Sequence, residues 1–299
     1  MTSVGDTAVQ VAVAEHESLT RQAIRRFLRH RLAIIGLLVL AFVAAVAVFL
    51  PLAVRLDPTA TDYGAIRQPP GPGHPLGADQ SGRDVWARLV YGSRISLLVG
   101  FGAVALYLAI GTALGMIAGF LGGFADQLVM RATDTLLSIP ILLLIIVFIA
   151  VVGPGLTSVI VVIALLGWPP TTRLVRAQLL SLREAEFVTA VRVVGVGNLG
   201  IVLRHLLPNI FGPLTVVATF GVAQAILLEA SLSFLGLGVR PPVPSLGEMI
   251  NAARAPSTLQ GLPWVWLPPG IVIALLVLAV NFIGDGLRDA LDPRSTRRA

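Results

Sequence analysis

VVGVGNLGIV, residues 193–202, places Gly195, Gly197 and Gly200 at the spacing G-x-G-x-x-G. That spacing marks a dinucleotide site when a hydrophobic strand precedes it and an acid follows about 20 positions later. Neither condition is met. Upstream, Phe187, Ala190, Val191 and Val194 recur at i, i+3, i+4 and i+7, the period of a helix, with Arg183, Glu184, Glu186, Thr189 and Arg192 elsewhere on it. Downstream, Leu199, Val202, Leu203 and Leu206 repeat the spacing, Arg204 and His205 lie opposite, and the window around residue 218 is apolar. The stretch therefore reads as helix, turn, helix. Gly195 suits the position just past a helix, where a left-handed backbone costs glycine nothing. Asn198 is a candidate N-cap for the second helix. Pro208 is expected to stop that helix, because proline cannot continue the backbone ladder.

The surrounding chain is not a soluble nucleotide enzyme. Of its 299 residues 56% are apolar and only 13% charged, with a mean hydropathy of +0.86, against about 25% charged in an ordinary soluble domain. This is a membrane protein. It has no cysteine, which excludes disulfides, thiolate nucleophiles and cysteine metal sites. Lysine is absent too; all 22 basic residues are arginine, which excludes a standard Walker A loop. The net charge of +6 does not signal nucleic acid, since the arginines gather at the ends of apolar runs.

Six spans are expected, at roughly 20 apolar residues per crossing. A tail (1–20) and a basic flank (21–31) precede an uncharged run from Leu32 to Val54. Ala45-Val46-Ala47 resembles a signal cleavage site, but it sits mid-run, so a retained anchor is the better reading. A Pro- and Gly-rich polar loop (55–94) leads to a second run, Ile95 to Ala125. After a polar break at Asp126–Asp134, Thr135 to Thr172 is too long for one crossing, and Gly153-Pro154-Gly155 divides it into a helical hairpin. A charged segment (173–204), a fifth span (Phe211 to Leu235), a loop at 237–266 with one short helix at 245–254, and a sixth span within Leu267–Gly284 complete the chain. With both ends cytoplasmic, fifteen arginines lie inside and seven outside, which favours N-in/C-in.

Two amphipathic helices at a bend could lie on lipid headgroups or be presented to a groove on a soluble partner; the structured bend favours the partner. EFVTAVRVVGVGNLGIVLRHLLPN (186–209) resembles the EAA loop of permease subunits in bacterial ABC importers. Ala190, Gly195, Leu207 and Pro208 match that pattern, Thr189 stands where glutamate is usual, and Glu186 lies one turn earlier. His205 is similar to the RHxLPN ending of the peptide and nickel branch. GADQSGRDVWARLVYGSRISL (77–97), EASLSFLGLGVRPPVPSLGEMI (229–250) and GDGLRDALDPR (284–294) resemble other signatures of that branch.

The resemblance covers residue 21 to the end and is to the C-type permease subunit of the dipeptide/oligopeptide/nickel branch. It implies an all-α type I importer permease of the bacterial cytoplasmic membrane, with 183–209 as a cytoplasmic coupling loop. No cofactor is implied in this chain, with ATP and Mg bound by partner ATPases. The implied partners are a B-type permease subunit, two ATPase subunits and an extracytoplasmic substrate-binding protein. The resemblance assigns ATPase coupling to Glu186, Thr189, Ala190, Gly195, His205, Leu207 and Pro208.

Other candidates are weaker. Glu229, toward the outer end of the fifth span, could attract a peptide ammonium, although pairing with a neighbouring arginine or a place in an outer vestibule is favoured. Arg83 and Asp84 could touch a binding protein or fix a short outer helix. Asp126, Asp134 and Asp285 flank span ends; placed at mid-membrane they would suit the alternative, a proton-coupled secondary transporter. Tyr107 and Phe120 read as packing residues. His16, His30, His74 and His205 are too scattered for a metal cluster, and no hydrolase motif accompanies Ser231 and Ser233. Dipeptides, longer peptides, nickel complexes and glutathione-like compounds all remain open as cargo.

Overall fold

The computed structural model describes residues 19–291, so the tail before Leu19 and the residues after Leu291 lie outside the described residues. The chain runs α1 (Leu19–Arg29), α2 (Arg31–Ala53), α3 (Val85–Leu121), α4 (Gly123–Leu137), α5 (Ile141–Val152), α6 (Leu156–Gly167) and α7 (Pro169–Leu182). It continues through α8 (Glu186–Val193), α9 (Asn198–Gly200), a π-helical turn Ile201–Leu206, α10 (Leu207–Phe234), α11 (Leu246–Ala252), α12 (Pro256–Gly261) and α13 (Pro263–Leu291). Five helical stretches are long and apolar enough to cross a membrane, with α6 and α7 counted as one; the pair α4 and α5, bent by 90°, makes a sixth.

Several boundaries differ from the sequence reading. Helices α10 and α13 begin four residues early, at Leu207 and Pro263, and a second short helix, α12, lies in the 237–266 loop. Two further differences bear on charged residues. The second span begins at Val85 rather than Ile95, because Asp84 caps it by accepting from the Ala87 N–H at 2.7 Å. Arg88 and Arg94 are therefore helical, not loop, residues. The polar break at 126–134 is itself helix α4, with its acids matched by arginines on α7: Arg176 binds Asp126 and Arg173 binds Asp134. The Gly-Pro-Gly turn is where it was expected, with Gly153 at φ +94.

Small residues set how closely the helices approach. Gly111, Gly115 and Gly119 form a stripe along α3, and a Cβ added there would lie 2.7, 2.6 and 2.9 Å from Thr171, Val175 and Leu179 of α7. Membrane helices associate through such small-residue seams, since lipid supplies no hydrophobic drive between them. The pairings run in parallel, so α3 and α7 end on the same face. Gly100 meets Ile226 and Gly284 meets Thr219, while Gly36 meets Ala279, which makes α10, α13 and α2 alternate in direction. Both described ends and the 183–209 loop thus share one face. Residues 54–84 and 236–262 share the other.

Candidate functional site

The 183–209 loop has a core of its own. Val188 (1% exposed), Ile201, Val202, Leu206 and Ile210 pack with Val175 and Leu179 of α7 and with Leu214 of α10. Helix α8 ends at a left-handed Gly195, φ +87, and the Val196 N–H reaches back to the Val191 carbonyl at 3.4 Å. That is the 6→1 bond of a Schellman-type stop, and it needs a residue without a Cβ penalty at Gly195.

Three local expectations fail here. Asn198 makes no side-chain cap; the N-cap is Gly197, whose carbonyl accepts from the Ile201 N–H at 3.1 Å. Pro208 does not stop the second helix. The turn before it widens to π geometry, with the Leu207 N–H bonded to the Val202 carbonyl, and the chain passes straight into α10. A wider turn accommodates a residue that has no N–H and crowds the carbonyl four positions back. The apolar stripe is also rotated. Val188 and the half-buried Val191 face the core, whereas Phe187 (40% exposed), Ala190 and Val194 (82%) face out, beside Val193 (83%).

Glu186 and Thr189 lie on that exposed side, His205 and Leu207 are half-buried, and Pro208 is exposed. The His205 carbonyl accepts from the Asn209 amide at 2.6 Å. Beside the bend opens a cleft of about 720 Å³ lined by Phe120, Leu121, Arg183, Glu184 and Asn198. The assembly is a rigidly backed helix with an uncovered apolar ridge. No group of His, Asp or Glu side chains that could hold a metal occurs among the described residues.

Residues 111–297 match the family described as binding-protein-dependent transport system inner membrane component. Residues 18–70 match the N-terminal TM domain of oligopeptide transport permease C. The chain belongs to the ABC importer permeases. It is 48% identical over 270 residues to a Brucella ovis protein provisionally named a peptide permease, covering 90% of this chain and 89% of that one. It is 43% identical to the dipeptide transport system permease protein DppC of Alkalihalophilus pseudofirmus, covering 92% and 90%. The inward-facing MetNI methionine ABC transporter shares its fold, with a TM-score of 0.54 at 22% identity over 68% of this chain and 96% of that chain.

On the permease's other face the remaining candidates are engaged within the chain. Glu229 is fully buried, not open to an outer vestibule, and meets no arginine among the described residues. It accepts from the Ser96 hydroxyl at 2.8 Å and the Ser233 hydroxyl at 2.7 Å. Ser233 in turn accepts from Ser245 at 3.3 Å, and Ser245 caps α11 by accepting from the Glu248 N–H at 3.1 Å. A serine relay thus joins α3, α10 and α11.

Beside it Arg88, 2% exposed, donates to Glu248 at 2.6 Å and lies 3.8 Å from Asp79. Burial pushes the Glu248 carboxyl up, and the Arg88 guanidinium pulls it back. Arg83 is held by Asp79 at 2.7 Å, while Asp84 caps α3 and meets His74 at 2.8 Å. The Arg88–Glu248 pair is not legible in the sequence, because no spacing rule links residues so far apart. With Asp126 and Asp134 bound to arginines, the proton-coupled alternative finds no support.

Proposed function

We propose that this permease is a C-type subunit of a peptide importer in the bacterial cytoplasmic membrane. Both chain ends and the 183–209 loop lie in the cytoplasm. It pairs with a B-type permease, takes its drive from two ATPase subunits that bind ATP and Mg, and receives cargo from an extracytoplasmic binding protein. The names of the relatives and the four sequence blocks support peptides as cargo. The surplus of arginine on the loop face supports the orientation. Five of the seven arginines counted against it precede or open α3, and of these Arg83 and Arg88 are neutralised by Asp79 and Glu248.

One observation carries the coupling role: Phe187 and Val193 of α8, with Val194 just past its end, stand exposed while the other side of the helix is packed. A ridge of that kind fits an apolar groove on a soluble partner, with Glu186 and Thr189 at its polar margin. ATP-driven closure of the ATPase pair would move α8, and the bend at Gly195 would pass that movement to α10. Only contacts that differ between the two states can transmit it. Residues 54–84 and 236–262 form the surface offered to the binding protein, with Arg83 and Asp84 holding it in shape.

The test is co-purification. Val193→Asp with Val194→Asp leaves the protein inserted and folded, because neither side chain is part of the core, but abolishes recovery of the ATPase subunits. Unchanged recovery would overturn the docking role.

A further inference from the structure

The bent span has a purpose that the coupling loop does not explain. Between α4 and α5 the chain leaves helical geometry at Ser138–Pro140 and turns by 90°. Irregular backbone at membrane depth persists only where protein covers it or where it lines a wetted cavity. A cavity of about 600 Å³ lies at this break. Its walls include Tyr107 of α3, Ser138 of the break, Thr171 of α7, and Gly221 and Gln224 of α10.

The chemistry of that wall is specific. It is mostly apolar, carries no Asp, Glu, Arg or His, and brings together four uncharged polar side chains: Tyr107, Ser138, Thr171 and Gln224. The Thr171 hydroxyl is buried without a hydrogen-bond partner. Gln224 is exposed, far from either end of α10. A primary amide facing hydrocarbon there would lose its hydrogen bonds with nothing in return, so this side of α10 faces something other than lipid. Tyr107 is seated by design of the backbone: a Cβ on Gly167 would come within 2.9 Å of its ring, and one on Gly221 would overlap its hydroxyl.

We propose that this cavity, at the break between α4 and α5, is a station on the translocation path that receives neutral peptides. The inference rests on the permease reading above. Its volume lies within the roughly 300–1,000 Å³ usual for small-molecule sites. Neutral donors and acceptors match backbone amides, and the apolar remainder, with no ionisable group to pair a charge, favours uncharged side chains. A path so lined holds a peptide by its main chain and passes uncharged side chains of varied shape.

The chain has no cysteine, so Gln224→Cys and Ser138→Cys each report on one position. Each variant is assembled in lipid nanodiscs with partner permease, ATPases and binding protein. It is then treated with a membrane-impermeant charged methanethiosulfonate, and labelling is read from the mass of this chain. Both thiols should react about tenfold faster than Phe42→Cys on the exposed side of α2, the contrast between a wetted and a lipid-facing site. A mixture of dialanine and trialanine, with binding protein and ATP, should slow that labelling several-fold.

Both thiols remaining inert, in an assembly whose ATPases still respond to the binding protein, would overturn the cavity's place on the path. Labelling that the peptides leave unchanged would overturn neutral peptides as its occupant. ATPases that ignore the binding protein, with the chain unmodified, would defeat the permease reading itself.

Discussion

The two faces of this permease treat their difficult residues in opposite ways. At the end of the molecule capped by residues 54–84 and 236–262, the buried charges are answered from within, Arg88 by Glu248 and Glu229 by serines, and the half-buried Arg83 is held by Asp79. On the face formed by 183–209, large apolar side chains are left uncovered, with Val193 and Val194 each more than four-fifths exposed. A surface whose buried charges are answered internally keeps its shape, even with Tyr63, Ile66 and Val243 exposed on it. A surface with an open apolar ridge on a packed support is incomplete until a partner covers it. The permease therefore carries an internally braced cap at one end and, on the coupling role proposed above, a docking helix at the other.

Breaking the closed face should have the largest effect. Arg88→Met strands the Glu248 carboxylate in a buried site and should cost about 3–5 kcal/mol, read as a fall in the thermal midpoint of the purified protein. Adding Glu248→Met should restore most of the loss, because a matched apolar pair leaves no charge unanswered. If the single variant is as stable as the double, the cap is not a buried ionic clasp.

On the open face a smaller cost should bring a larger functional change. Gly195→Val forces a β-branched residue to φ +87, worth roughly 1–2 kcal/mol of local strain. The protein should still insert, while ATP hydrolysis by the assembled importer no longer drives uptake. Normal uptake by this variant would remove the bend from the coupling path. The smallest effect belongs to Gly197→Ser. Gly197 has φ −65 and no atom within 4 Å of an added Cβ, so the change should stay within about 0.5 kcal/mol. Serine could also supply the missing cap oxygen. A severe defect would mean that the glycine spacing has a backbone role beyond the bend.

Much of the fold was legible along the chain because membrane spans are local features. Uncharged runs, Gly-Pro-Gly at 153–155 and the short helix near 246–252 announce themselves within a few residues. The bend at Gly195 was legible for the same reason: helical period on both sides and one glycine where the left-handed turn falls. What lay on α8 was legible, but not its rotation. Phe187, Ala190, Val191 and Val194 make a good stripe by spacing, yet α8 turns Val188 inward because the surface that meets it is the π-helical turn bearing Ile201, Val202 and Leu206. Pro208 misled in a similar way. The rule that proline ends a helix assumes an α-helical turn before it, and here that turn is π.

The sequence alone determined that this is a multi-span membrane protein without cysteine or lysine, that a helical bend replaces any nucleotide cradle, and which family signatures it carries. Those properties depend on composition and on residues within one or two turns of each other. Tertiary structure decided the partners of the charges and the use of the glycines. Arg88 finds Glu248, Glu229 finds Ser96, and Gly111, Gly115 and Gly119 receive α7 only when distant helices are brought side by side. In the membrane, close packing and internal hydrogen bonds must do what water does elsewhere, and those contacts belong to pairs of helices rather than to any one stretch of chain.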